Sequence, residues 1–127
     1  MAATKTRQEL FDNAWRQARR QGWARSLNDD GECCYRTATG ERCNVGANIP
    51  DELYEEAFEG WACEVDEDEL VNSIAARIRS AAGIADSDIE FANDLQDAHD
   101  NMFSDMRGNM RKLVEKYGLT IPEGSAV

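Results

Sequence analysis

Apolar residues recur at three- and four-residue spacing in several separate segments of this 127-residue chain, which is the pattern of amphipathic helices. The first such segment begins with Thr6-Arg7-Gln8-Glu9, which has the form of a capping box, and it ends in arginines followed by Gly22. This pattern predicts a helix from about residue 7 to residue 21. Its expected inward side chains are those of Leu10, Phe11, Ala14, Trp15 and Ala18.

A second and a third helix are predicted further along the chain. Pro50 can occupy the first turn of a short helix that ends near Gly60, with acidic residues close to its N-terminus. Residues 66–69 offer the cap of a longer helix, and Gly83 closes it. The expected inward stripe of this longer helix consists of Leu70, Val71, Ile74, Ala75 and Ile78.

Two more helices are predicted in the last third of the chain. One starts at Asp86 or Ser87, and the other runs from a Ser104 cap to a stop at Gly118. We expect the tail from Pro122 onward to be loose. The expected inward residues are Ile89, Ala92, Leu95, Ala98 and Met102 on the first helix, and Met106, Met110, Leu113 and Val114 on the second.

Residues 32–46 alternate in polarity and predict a β-hairpin with the three-residue loop Ala38-Thr39-Gly40. In this register Thr37 faces Glu41. One face then holds Cys33, Tyr35, Cys43 and Val45, and the other holds Cys34, Arg36, Arg42 and Asn44. The sequence therefore predicts an α+β fold. We expect a single domain over residues 1–127, ordered from about 6 to 121, with four to five helices packed around one short β-hairpin.

Charge is distributed unevenly along the chain, whose net charge is −11. Residues 47–106 contain 17 acidic side chains, whereas Arg77 and Arg79 are the two basic ones. Such a field repels nucleic acid and membrane surfaces and attracts basic partners. No run of about 18 apolar residues predicts a membrane span, and the N-terminal stretch does not resemble a signal peptide. We therefore expect a cytoplasmic protein that contacts neither a membrane nor nucleic acid directly.

On helices, the acidic residues would form rows of like charge. Asp51, Glu55 and Glu59 are spaced four apart, as are Glu52 and Glu56. Repulsion at this spacing costs a few tenths of a kcal/mol per pair. The rows could imitate a phosphate backbone and bind a basic protein, or they could be a solvated face, including one adapted to salt. The candidate binding residues are Asp51, Glu52, Glu55, Glu56, Glu59, Glu64, Asp66, Glu67, Asp86, Glu90, Asp94 and Asp97.

Cysteine and histidine offer the alternative of a metal- or thiol-dependent enzyme. The four cysteines, Cys33, Cys34, Cys43 and Cys63, have no C-x-x-C pair among them and match no zinc pattern. We expect reduced thiols, with Cys33 and Cys43 filling the core. His99 is either a general base or a core-edge histidine that is hydrogen-bonded to the hairpin or to a carboxylate; its neighbour Asp100 is not expected to face it squarely. We predict no cofactor and no bound metal.

Two segments carry a resemblance to a known family. Residues 33–54 resemble a C-x-Y-R…G-x-K-C-x-V-G-x-x-I-P-D pattern, and residues 95–101 resemble an L-Q-x-x-H-D pattern. Both patterns occur in a family of small uncharacterised proteins from bacteriophages and bacteria, and the resemblance covers about residues 7–118. Arg42 stands where the family has lysine. Ala47 stands where some members have cysteine, which weakens a three-cysteine metal site.

The resemblance implies no activity, but a phage-type origin favours a protein that binds and blocks a host protein. Together with the acidic middle, it leads to the hypothesis of a small, non-enzymatic protein-binding module. We expect it to be a phage-encoded inhibitor that presents carboxylates to a basic, nucleic-acid-binding surface of a host protein in the bacterial cytoplasm. The alternative is the metal- or thiol-dependent enzyme domain centred on Cys33, Cys43 and His99.

Overall fold

Four α-helices form the framework of the described chain. The computed structural model describes residues 4–61, 67–101 and 105–122. The helices are α1 (Arg7–Arg20), α2 (Glu69–Ala82), α3 (Ile89–Asp100) and α4 (Met106–Tyr117). No helix in these ranges is long and apolar enough to cross a membrane.

Local capping sets the helix ends. At the start of α1 the Thr6 hydroxyl accepts from the Glu9 N–H and the Glu9 carboxylate accepts from the Thr6 N–H, so the predicted capping box is confirmed. Asp68 caps α2, and Gly83 closes it in the left-handed conformation. Asp105 caps α4, while the cap predicted at Ser104 lies outside the described residues.

The predicted β-hairpin is wrong, and with it the α+β fold class. Within the described ranges residues 32–46 form no strand; they form two isolated bridges, between Leu27 and Cys33 and between Arg36 and Arg42. Side chains from other segments take the backbone donors that a strand ladder would use. Glu59 accepts from the N–H groups of Tyr35 and Arg36, and further acceptors are Gln21 Oε1 for Arg42 and Gln96 Oε1 for Val45.

The short helix predicted between Pro50 and Gly60 is also wrong as an α-helix. The segment folds as two 3₁₀ turns, Asp51–Leu53 and Glu56–Phe58. Tyr54 and Glu55 between them are extended, with ψ angles of 140° and 136°. This break lets Phe58 enter the core and brings Glu59 to the 35–36 backbone.

The core is built mainly from the inward faces of the four helices. Trp15 and Phe11 of α1 are fully buried, and so are Ile78 of α2, Leu95 of α3 and Met110 of α4. Leu70 was predicted to face inward, but it is 68% exposed. Met102, which was also expected inside, lies outside the described residues.

The irregular segment 32–46 is fastened to this core through close backbone contacts. A Cβ atom at Gly46 would clash with the Tyr35 carbonyl oxygen, so a larger residue there would push the two backbones apart. Buried Asn44 donates from Nδ2 to the Leu95 carbonyl of α3 at 2.7 Å. These contacts hold residues 33–35 beside the C-terminal half of α3, where a cavity lies.

Candidate functional site

A cavity of about 500 Å³ lies between residues 32–35, the Gly60–Trp61 turn and α3. Its volume is within the usual range of small-ligand sites. The wall combines carboxylates, amides, aromatic rings and thiols. The lining residues are Glu32, Cys33, Cys34, Tyr35, Cys43, Gly60, Trp61, Asn93, Asp94, Gln96, Asp97 and Asp100.

His99 is buried directly behind this wall, with 1% of its surface exposed. Its Nε2 accepts a hydrogen bond from the Ser26 backbone N–H at 2.9 Å. Because a backbone amide can only donate, Nε2 must be unprotonated, and the ring proton belongs on Nδ1. Nδ1 lies 2.7 Å from Asp100 Oδ1 and donates to it. The prediction that Asp100 would not face His99 is therefore wrong.

Asp100 is a carboxylate held in place from two sides. Besides the His99 ring, the Gln96 side chain donates from Nε2 to Asp100 Oδ1 at 2.9 Å. The Cys33 sulfur, the His99 ring nitrogen and the Asp100 oxygen all lie within 4.8 Å of one another. Burial, reinforced by the Asp100 charge and its hydrogen bond, raises the pKa of Cys33 to about 12. The Cys33 thiol is thus protonated at neutral pH.

This trio does not have the proton arrangement of a metal centre. A metal on Nδ1 of a neutral imidazole would require a proton on Nε2, where the Ser26 N–H already points. The geometry is that of a hydrogen-bonded chain from Ser26 through His99 to Asp100.

The described thiols also lack the activation that thiol catalysis needs. Catalytic cysteines have a lowered pKa and an adjacent base. Here burial raises the pKa of Cys33, Cys34 and Cys43, and both nitrogens of His99 have other partners. Cys33, Cys34 and Cys43 are free thiols. Cys43 is buried as predicted, whereas Cys33 is only half-buried at the cavity wall, and Cys63 lies outside the described residues.

Several predicted binding carboxylates have structural partners, and the helical row over Asp51, Glu55 and Glu59 does not exist. Asp51 Oδ1 lies 2.8 Å from Arg36 Nη1 and 3.0 Å from Arg42 Nη2, and Glu55 pairs with Arg77. Cations from outside residues 47–106 therefore reach the acidic middle, since Arg36 and Arg42 both pair with Asp51.

Glu59 is the most heavily used of these carboxylates. Its oxygens accept from the Tyr35 N–H at 2.8 Å, the Arg36 N–H at 3.1 Å and the Tyr54 hydroxyl. The partners lie 5 to 24 residues from Glu59 in sequence, so no local motif could have indicated these bonds. Glu59 therefore holds the fold together and does not belong to a free binding surface.

The remaining predicted acids divide into an unpaired group and a paired one. Glu52, Glu56, Asp86 and Asp97 are exposed and make no side-chain hydrogen bond or ion pair within the described chain. Glu67 and Glu90 are exposed too, while Glu64 and Asp66 lie outside the described residues.

Asp94 belongs to the paired group, and it connects α3 to α4. Its Oδ2 accepts from Lys116 Nζ at 2.7 Å and from the Tyr117 hydroxyl. Burial disfavours the charged form of Asp94, but the bonds from Lys116 and Tyr117 outweigh it and lower the pKa of this carboxyl. Asp86, Glu90, Asp94 and Asp97 therefore do not form one row of free acids on α3: Asp86 lies on a 3₁₀ turn before the helix, and Asp94 is paired with Lys116.

Trp61 and Asp100 are site residues that the sequence did not reveal. Trp61 lines the cavity and is 40% exposed, and its carbonyl accepts from the Tyr35 hydroxyl. Exposure of a large aromatic ring beside a cavity was the missing signal, and it depends on how distant segments pack.

Comparison of the chain with family models, with curated proteins and with solved structures gives no match.

Proposed function

We propose that this protein is a non-enzymatic binding module that presents carboxylates to the basic surface of a protein partner. The narrower form of the proposal is a phage-encoded inhibitor that acts in the cytoplasm of a bacterial host on a nucleic-acid-binding protein. The observation that carries the proposal is the unpaired group of Glu52, Glu56, Asp86 and Asp97, exposed acids that no described cation neutralises.

The charge balance explains why these carboxylates would attract a partner. Residues 47–106 have 17 acidic and 2 basic side chains, and cations from the rest of the described chain pair with only some of the acids. The uncompensated field extends into solvent over about one Debye length, roughly 10 Å at 0.1 M salt. It would speed association with a basic surface and repel nucleic acid.

The arrangement of the cysteines and His99 supports the non-enzymatic form of this proposal. Both His99 nitrogens are engaged in hydrogen bonds, and burial keeps the cavity thiol of Cys33 protonated. A general base would need a His99 nitrogen that is free to take a proton, and a thiolate nucleophile would need Cys33 deprotonated.

The test is affinity capture from bacterial lysate with the full chain as bait, followed by measurement of affinity for the captured protein at several salt concentrations. The test variant is E52K/E56K/D86K, and the matched control is D29K/D30K/E115K. Both change the net charge equally, at exposed positions, but the control changes lie outside the acidic middle.

We expect the test variant to lose the partner, the control to keep it, and the affinity of the wild type to fall as salt rises. Equal behaviour of the two variants, or an affinity independent of salt, would contradict the proposal. Glu59 is left unchanged in both variants, because its reversal would disrupt residues 35–36.

A further inference from the structure

We propose that the cavity beside α3 binds the guanidinium group of an arginine side chain from the basic partner. This inference rests on the proposed function and assigns its central contact to one site. It is based on three features of the cavity: a carboxylate fixed by a buried histidine, a second carboxylate that has no partner, and an exposed indole ring.

Asp100 is the fixed carboxylate. The buried His99 ring donates to it at 2.7 Å and Gln96 donates at 2.9 Å, while Ser26 fixes the His99 ring from behind. An anion oriented in advance loses little conformational freedom when a cation arrives, which favours binding. The hydrogen bonds explain why a polar side chain such as His99 is buried here: it supports a group at the cavity wall.

Asp97 is the free carboxylate. It lies three residues before Asp100 on α3, so that the two side chains are neighbours on the helix surface, and both line the cavity. Asp97 is exposed and has no described side-chain partner. The cavity lining includes four carboxylates, those of Glu32, Asp94, Asp97 and Asp100, and no lysine or arginine. Of these four carboxylates, Asp94 is paired with a lysine, Lys116. A cation that entered the cavity would supply the positive charge that the lining lacks.

Trp61 favours a guanidinium over an ammonium group. Its indole is 40% exposed and lines the same cavity as the two aspartates. A guanidinium is planar, stacks on aromatic faces and can bind a carboxylate through two parallel N–H donors. An ammonium is more strongly hydrated and lacks this geometry. The volume of about 500 Å³ is large enough for the whole side chain and its flanking backbone.

The experiment is an NMR titration of the full chain with N-acetyl-arginine amide at low salt. N-acetyl-citrulline amide is the matched control ligand, because it has nearly the same shape without the charge. D97N is the test variant, and D29N is its control, since Asp29 is an exposed acid that neither lines the cavity nor belongs to the unpaired group. We expect the arginine ligand to cause saturable shifts at the Trp61 indole N–H. Its affinity for D97N should be lower than for the wild type by a factor of about ten or more. D29N should bind like the wild type, and the citrulline ligand should not bind.

Three results of the arginine titration would overturn the inference: equal binding of the citrulline ligand, equal weakening by D29N and D97N, or equal affinity for N-acetyl-lysine amide. Agmatine supplies the same guanidinium as a free small molecule. If it bound more than about tenfold tighter than the arginine ligand, assignment to a protein side chain would be overturned. If D97N still captured the partner while E52K/E56K/D86K lost it, the cavity inference would fail and the proposed function would stand. If both variants still captured the partner, the proposed function itself would be contradicted.

Discussion

At the scale of single residues, His99 shows how burial decides what an ionisable group can do. A histidine with a free nitrogen can act as a base or bind a metal, whereas His99 accepts from Ser26 through Nε2 and donates to Asp100 through Nδ1. Ser26 and His99 are both buried, so water does not compete for the bond between them. The ring therefore connects segment 26 to the end of α3 as a fixed neutral spacer.

Replacing His99 tests this structural role. In His99→Gln the amide oxygen can still accept from the Ser26 N–H, whereas His99→Leu leaves that buried donor unpaired. An unpaired buried donor costs about 1–3 kcal/mol, so the leucine variant should be less stable than the glutamine variant by about that amount. Urea unfolding of both variants measures the difference. Equal free energies of unfolding would show that the Ser26–His99 bond contributes nothing.

At the scale of elements, the sequence predicted those whose stabilising contacts are local. The Thr6–Glu9 capping box, the closure of α2 by Gly83 and the stop of α4 at Gly118 all involve partners within a few residues, and all are confirmed. The apolar periodicity also located the buried faces of α1, α3 and α4. Propensity and spacing suffice where chain neighbours supply the hydrogen bonds.

The elements that failed depend on distant partners. The 32–46 segment has the alternation of a hairpin, but Glu59, Gln21 and Gln96 accept from four of its backbone N–H groups from outside. The helix expected after Pro50 is interrupted by extended residues Tyr54 and Glu55, and this break brings Glu59 to the 35–36 backbone. The cavity shares this origin, since its walls come from three segments that meet only in the folded chain. No spacing rule connects these positions.

Glu59→Gln tests whether this carboxylate holds the irregular segment in place. A glutamine keeps one acceptor oxygen, but its NH₂ group would face a donor, either the Tyr35 or the Arg36 N–H. We expect a loss of about 1–3 kcal/mol in the free energy of unfolding. Glu56→Gln is the matched control, because Glu56 is exposed and unpaired, and it should change stability by less than about 0.5 kcal/mol. A Glu59 variant as stable as its control would mean that other contacts hold residues 35–36.

At the scale of the whole molecule, two electrostatic effects of opposite sign act on stability. Ion pairs such as Arg7–Asp88 and Lys116–Asp94 connect distant parts of the chain, but solvent and salt screen these surface pairs. Against them stands the self-repulsion of a chain with 25 acidic and 14 basic residues. Because residues 47–106 contain most of the acids and only two cations, repulsion there exceeds what the few pairs recover.

Salt should therefore stabilise this protein. Raising NaCl from about 0.02 to about 0.2 M shortens the Debye length and screens exposed like charges. We expect the urea midpoint of the wild type to rise, because the screened repulsions outnumber the weakened ion pairs.

E52K/E56K/D86K should be at least as stable as the wild type at low salt and should respond less to added salt, since the reversal removes repulsion within the acidic middle. D29K/D30K/E115K should keep more of the wild-type salt response, because it leaves the acidic middle unchanged. A midpoint that falls with salt in the wild type would show that the ion pairs outweigh the repulsion, and the acidic middle could then not be the source of an uncompensated field.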